Sequence, residues 1–378
     1  MNKWIDRLPL TRTRRSIWGT CLVLAIALSG CGVQAPVSSH ADDTYWELAD
    51  PNDFGWGEAE HTLIEEAIAQ YREKINSVIL IRNGKLIYEQ YFHHTEPDAA
   101  YPVYSVSKSI LSALTGIAIR EGYLSGTDER IADLMPERFT DRDSSSLSQL
   151  TVEHLLTMSG GLRSVDPIIN SWYRSNSWIN FVLDQPALAD AGLRFDYNTG
   201  LTHLLSAVLT EASGMSTKEL ADKYLFGPMA ITNYEWEKDP EGYYIGGTKL
   251  SMTARDMAKF GYLYLHHGNW EGEQLIPKEW IEQSLASSHT ASDYGYLFWL
   301  EELTVSSGQM LQTFEANGYG GQHVRIVPAL DAVIVVTSNP NISPANADDL
   351  IDEYMVPALA NQLPEVLEPV HRLASLPQ

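Results

Sequence analysis

Two side chains in this sequence have the types and the spacing for covalent acyl chemistry. They are Ser105 and Lys108, in the run Tyr104-Ser105-Val106-Ser107-Lys108-Ser109. No charge appears between Lys108 and Arg120, so the segment reads as a helix that is apolar on every side. Such a helix is buried. A serine and a lysine three residues apart near its start share one face. A lysine placed there is desolvated, which lowers its pKa toward the range of a working base. The serine beside it is then a candidate nucleophile. Ser-x-x-Lys arises about once by chance in a chain of this length, so the pair needs partners.

Acyl transfer also needs a proton path to the leaving group and amide donors for the oxyanion. Two stretches offer them. Arg194-Phe195-Asp196-Tyr197-Asn198-Thr199-Gly200 has turn chemistry and leads into a helix. Tyr197, exposed on that loop beside a lysine ammonium, would have its pKa pulled down and could shuttle protons. A loop tyrosine that merely packs on the surface is the plain alternative. Ala316-Asn317-Gly318-Tyr319-Gly320-Gly321-Gln322 precedes a strand. Gly318, Gly320 and Gly321 let backbone come close to a ligand, as in an edge strand presenting N–H groups. A glycine-rich hairpin turn is the alternative there.

The elements that must position these residues follow from periodicity. Residues 59–75 have helical spacing. Residues 77–81 and 86–92 flank Asn83-Gly84 and read as a β-hairpin. The buried helix of Ser105 comes next. A mostly helical block spans about 127–235, with a capped short helix in 151–162 and a second helix over 201–213, closed by Gly214. A third helix covers 253–266. Strand signals return at 294–300, 310–314, 323–327 and 331–337, and 346–361 reads as a closing helix. Hairpins pair antiparallel, so the terminal pieces can share one sheet with the helical block inserted. The fold class is α+β.

Composition bounds the function. The chain has 378 residues, 44% hydrophobic and 20% charged, enough to bury a real core. Its net charge of -23 argues against a nucleic-acid partner, which requires a basic footprint. The only cysteines are Cys21 and Cys31, so no disulfide framework is possible in the folded part. Lys3, Arg7, Arg12, Arg14 and Arg15 precede an apolar run too short for a comfortable membrane span. That run ends in Leu28-Ser29-Gly30-Cys31, which resembles a bacterial lipobox. The resemblance implies cleavage before Cys31, lipidation of its thiol and tethering to the cell envelope. Gly32 after the cysteine resembles the pattern of lipoproteins sorted to the outer membrane, here on its periplasmic face. The expected organisation is a signal peptide over 1–30, a tether over 31–58, a folded domain over 59–365 and a tail over 366–378. Within the domain, 59–125 and 285–365 form the sheet part and 126–284 the helical part.

Taken together, the motifs resemble one family: the serine hydrolases related to class C β-lactamases, penicillin-binding proteins, EstB-type esterases and 6-aminohexanoate-dimer hydrolases. The Ser105 to Lys108 run is similar to their Ser-x-x-Lys box, and Tyr197-Asn198-Thr199 to their Tyr-x-Asn box. Thr151 to Leu162 resembles the "hLLtHtSGl" signature, with Met158 where histidine is frequent. Gly246-Gly247-Thr248-Lys249 to Gly261 resembles "GG..l.sTa.DlarFg". The likeness covers roughly 60 to 360. It implies a β-lactamase/transpeptidase-like fold, an antiparallel sheet flanked by helices with an inserted α-helical domain. It implies that a small ester or amide acylates Ser105, that Lys108 and Tyr197 share the acid–base work, and that the N–H groups of Ser105 and Tyr319 hold the oxyanion. It implies neither a metal nor an organic cofactor.

Two departures bear on the substrate. Thr199 replaces the usual asparagine of the Tyr-x-Asn box. The Gly318 region lacks the Lys-Thr-Gly or His-x-Gly that recognises a substrate carboxylate. Both point away from penicillins and cell-wall peptides toward the esterase and amide-hydrolase branch. The alternatives are a β-lactamase or D,D-peptidase, and a non-catalytic cell-wall-binding or sensor module on the same fold. His203 is expected to be a packed core histidine. His323 could face the pocket or solvent. The Trp172, Tyr173 and Trp178 loop could line a pocket mouth or pack in the core. His93-His94 and His266-His267 lack metal-ligand spacing, so no metal is assigned.

Overall fold

The computed structural model describes residues 45–140, 142, 145–339 and 347–360. Its centre is a six-stranded antiparallel sheet. In spatial order the strands are Lys85–Tyr91, Ile75–Arg82, Ala332–Ser338, Gln322–Val327, Met310–Gly318 and Trp299–Thr304. Two strands come from the start of the fold and four from its end, and the intervening chain supplies most of the helices. At the first hairpin Asn83 and Gly84 both take positive φ, 49° and 73°, as a two-residue hairpin turn demands.

The sheet is covered on both faces, so its strands read as nearly unbroken apolar runs. Ile79, Ile81, Val324, Ile326, Val333 and Val335 pack against one core with the helices Val106–Arg120 and Ala254–Leu265. Val78, Leu80, Val327, Ile334 and Val336 pack against a second core with the helix Glu58–Tyr71 and the C-terminal helix. That last helix runs through Asp348–Leu350, Ile351–Met355 and Val356–Leu359, with a π-type middle turn. Among the described residues no helix is long and apolar enough to cross a membrane.

Several expectations shift. Residues 294–298 make a turn, with Leu297 at φ 63°, and the strand begins at Trp299. Gly295 lies where a Cβ would come 2.2 Å from the Ser284 carbonyl, so close packing overrides the local strand pattern. The first helix ends at Tyr71 rather than 75, because Ile75 is already paired with Ser338. The stretch expected as tether is packed from Tyr45 onward. Trp46 and Trp56 are buried, and the Trp56 indole donates to the Ala358 carbonyl at 2.9 Å. The signal segment and Cys31 lie outside the described residues.

Candidate active site

Ser105 is the N-cap of the helix Val106–Arg120, whose residues 106–118 are all buried. The residue before it, Tyr104, is held at φ 49°. A bulky residue in that region costs about 1–3 kcal/mol and persists only where the surroundings impose it. The strain folds the chain sharply onto the helix start, and the Ser107 hydroxyl ties it by donating to the Tyr104 carbonyl at 2.6 Å. Ser105 stays partly accessible while Lys108 is 1% exposed.

The Lys108 ammonium has three acceptors: Ser105 Oγ at 2.8 Å, Thr199 Oγ1 at 3.2 Å and the Gly247 carbonyl at 2.6 Å. All are neutral. Burial pushes Lys108 down from 10.5 to about 7, and the Asp166 carboxylate opposes this only in part. The amine therefore loses its proton near neutrality while its nitrogen stays aimed at Ser105.

Thr199 begins the second helix, Thr199–Ser213, capped by the Asn198 side chain on the Gly200 N–H at 3.0 Å. Asp166 fixes the same helix start, accepting from the Thr199 N–H at 2.9 Å and the Ser164 hydroxyl at 3.0 Å. The Ser164 hydroxyl also lies 2.8 Å from the Tyr197 carbonyl, so its one proton is shared between the two acceptors. The Thr151 to Leu162 stretch underlies this loop, with Asp196 N–H donating to the Met158 carbonyl at 2.8 Å and Gly192 N–H to Ser159 at 2.8 Å.

Tyr197 differs from expectation. It is half-buried, stacked on Trp299 at 6.0 Å between centroids, with the edge of Tyr294 at 6.4 Å. Burial pushes its phenol well above its ordinary value; a hydrogen bond with Ser105 opposes this, and Asp166 adds to it. The lysine beside it does not pull the phenol down, because burial discourages charge on both groups. Lys108 Nζ lies 5.0 Å from the Tyr197 ring centroid, over the ring.

The glycine stretch is both a strand end and a hairpin turn. Met310–Gly318 is not an edge strand, since Trp299–Thr304 lies outside it. That outer strand stops with Trp299 opposite Glu315, so residues 316–318 run past it. A Cβ on Gly318 would sit 2.2 Å from the Val103 carbonyl, so the strand end touches the chain that leads to Ser105. Tyr319 follows, 64% exposed, its ring 5.6 Å from that of Tyr104. Gly320 and Gly321 take φ of 83° and 94° to turn the hairpin.

Sequence reasoning missed Asp166 and Trp299 as parts of this site and read Thr199 and Gly247 only as motif positions, not as partners of Lys108. Gly247 had a signal in the Gly246-Gly247 pair. A Cβ there would meet Thr202 Oγ1 at 2.4 Å and the Thr199 carbonyl at 2.8 Å. Gly247→Ala should therefore displace the carbonyl that holds Lys108. The expected result is a loss of about 1–3 kcal/mol of stability, read by urea unfolding, together with lower turnover.

The residues that invited other readings are accounted for. His203 is buried in the helical part, its Nε2 2.9 Å from Asp239 Oδ2. Trp172 and Trp178 pack edge-on around it at 5.7 and 5.5 Å, so that loop is core rather than pocket mouth. His323 faces neither the site nor solvent. It is buried on the far face of the sheet, 2.8 Å from Glu315.

A fold of antiparallel sheet with helices on both faces and a Ser-x-x-Lys helix at its centre defines a β-lactamase-like hydrolase class. The chain belongs to the Beta-lactamase family, whose profile matches residues 61–355. It is 24% identical over 285 residues to the 6-aminohexanoate-dimer hydrolase of Paenarthrobacter ureafaciens, covering 70% of this chain and 72% of that one. An uncharacterized protein of Alkalihalophilus pseudofirmus is 26% identical over 316 residues, covering 73% of this chain and 87% of its own length. In fold the chain is similar to the octameric penicillin-binding protein homologue from Pyrococcus abyssi. Their TM-score is 0.62 at 20% identity, covering 81% of this chain and 78% of that one.

Proposed function

We propose that this chain is a serine hydrolase that cleaves a small ester or amide through an acyl-enzyme on Ser105. The observation that carries the reading is the buried Lys108 amine, 2.8 Å from Ser105 Oγ and held there by Thr199 and Gly247. Neutral Lys108 takes the hydroxyl proton as Oγ attacks the substrate carbonyl. The oxyanion is held by the N–H groups of Ser105 and Tyr319, and the backbone of Gly318, Gly320 and Gly321 lines the approach. The Tyr197 phenol protonates the leaving group and regains its proton from the Lys108 ammonium. Water then attacks the acyl-enzyme by the same groups in reverse, which leaves Ser105 free. No step calls on a cofactor.

The substrate class rests on two features. The Gly318 region offers no lysine or histidine for a substrate carboxylate. Two aromatic pairs lie nearby instead: Tyr104, next to the nucleophile in the chain, against Tyr319, and Tyr197, which hydrogen-bonds with Ser105, stacked on Trp299. The likeness to a 6-aminohexanoate-dimer hydrolase agrees with this. The test is twofold. A fluorophosphonate should label Ser105, identified by peptide mass. A panel of p-nitrophenyl esters, short amides, D-amino-acid peptides and a chromogenic cephalosporin should show turnover of the first two sets. Fast cephalosporin or peptide cleavage would move the reading to a β-lactamase or peptidase. A stable adduct without product would make the chain a sensor module.

The same proposal places the enzyme in the bacterial cell envelope, anchored at the outer membrane through a lipid on Cys31. Cys31→Ser should abolish palmitate incorporation and release the protein to the soluble fraction. Unchanged labelling would remove the anchor from the reading.

A further inference from the structure

The far face of the sheet carries a group of side chains that the proposed hydrolysis does not use. Glu315 lies on strand Met310–Gly318, His323 on strand Gln322–Val327 and Asp348 at the start of the C-terminal helix. His323 Nδ1 is 2.8 Å from Glu315 Oε1 and 3.5 Å from Asp348 Oδ1. One ligand atom from each residue falls within 4.8 Å of the others. The Asn317 side-chain amide lies against the same nitrogen at 3.3 Å.

The charges around this point do not balance. Arg325, fully buried, is paired with Glu301, with Glu315 at 3.2 Å and with Asp352 at 3.5 Å. With Asp348, four carboxylates face one guanidinium and one imidazole. Even with the imidazole charged, these carboxylates outnumber the cations by two, an excess that the partly exposed Glu301 and Asp348 share with solvent. A divalent ion on a neutral imidazole leaves only one. His323 Nε2, buried, has no hydrogen-bond partner, so the imidazole makes its polar contacts through Nδ1 alone.

We propose that Glu315, His323 and Asp348 form a binding site for a divalent first-row transition ion of the Zn²⁺ class. The distances carry this. Nitrogen and oxygen ligands about 2.0–2.2 Å from such an ion stand roughly 3–3.5 Å apart; with all three ligand atoms within 4.8 Å, a small swing of the half-exposed Asp348 side chain and of Glu315 off its hydrogen bond to His323 Nδ1 completes that spacing. An imidazole ligand favours a transition ion over Mg²⁺ or Ca²⁺. Glu315 and His323 are nearly inaccessible, but Asp348 is 43% exposed, so an ion can enter from its side. Bound there, it fastens the C-terminal helix to the strand that ends in Gly318. The spacing of 8 and 25 residues between the ligands hides the site in the sequence. The inference does not rest on the hydrolase reading.

The purified chain, stripped with chelator and dialysed, should bind about one Zn²⁺ in a calorimetric titration. Co²⁺ should give visible d–d bands that Zn²⁺ abolishes. Asp348→Asn and His323→Gln should each weaken binding at least about tenfold, and Ser105→Ala should bind like the parent. Asp348→Asn is a near-isosteric change at a half-exposed position, and the Co²⁺ spectrum of the parent needs no variant at all. Absence of Co²⁺ bands and of saturable Zn²⁺ binding in the parent overturns the site. So does binding that both substitutions leave unchanged.

Discussion

A Lys108→Met chain is expected to lose turnover on the order of 10⁴-fold or more, as far as Ser105→Ala loses it. The double substitution should lose no more than either single one, because nucleophile and base act as one unit. Methionine fills the lysine's length in the buried slot while removing the proton acceptor. Steady-state rates on a p-nitrophenyl ester check this, and additive losses would separate the two roles. The same variant has a second readout that is independent of activity. Lys108 falls from 10.5 to about 7 on folding. Below pH 7 the folded and unfolded chains both carry the ammonium, and the cost of burying it is full. Between 7 and 10.5 the unfolded chain binds a proton that the folded one does not. Stability of the parent therefore rises with pH in that window, by up to about 1.4 kcal/mol per pH unit. Above 10.5 no cost is left. The methionine chain lacks this term. Urea unfolding at pH 7 and pH 9 should show the parent gaining about 2 kcal/mol relative to Lys108→Met. Parallel stabilities across that range would mean the lysine is not depressed.

The parts of the site that the sequence made legible are those with local signatures. The charge-free run from Ile110 to Ile119 reads as a buried helix, and that alone takes Lys108 out of water. The Asn83-Gly84 turn and the capping residues Thr151 and Thr253 likewise act on their own neighbours. What stayed hidden depends on chains that meet from far apart. Gly247 reaches Lys108 across 139 residues, and Thr199 reaches it across 91. Tyr197 was placed on the right loop but in the wrong environment. Its burial comes from Trp299 and Tyr294, a hundred residues later in strand and turn, and no local pattern announces them. The strain at Tyr104 was equally unreadable, because tyrosine carries no preference for positive φ. His323 was misplaced for a related reason. Alternation along a strand assigns a residue to a face, but only the arrival of Asp348 shows what covers that face.

Tyr197→Phe is expected to lower kcat by about 10²- to 10⁴-fold with KM little changed. Phenylalanine keeps the stack on Trp299 and the ring beneath Lys108 Nζ, so the substitution removes one hydroxyl and little packing. The size of the loss should depend on the leaving group, and this separates an acid from a merely structural tyrosine. Burial keeps the phenol protonated far above neutral pH, so it enters the reaction as a proton donor. Lys108, near 7, is the group that must be empty. Activity of the parent should accordingly rise through about pH 7 and stay high on the alkaline side, with no fall until the phenol itself ionises. A p-nitrophenolate departs without needing a proton, whereas the amine of an amide must be protonated to leave. Tyr197→Phe should therefore harm amide cleavage at least about tenfold more than cleavage of a p-nitrophenyl ester with the same acyl group. Equal losses on both would show that the hydroxyl orients Ser105 rather than feeding the leaving group. The pH profile of the variant tests the assignment of that rise to Lys108. With Lys108 untouched, its rise near pH 7 should persist at the lower rate.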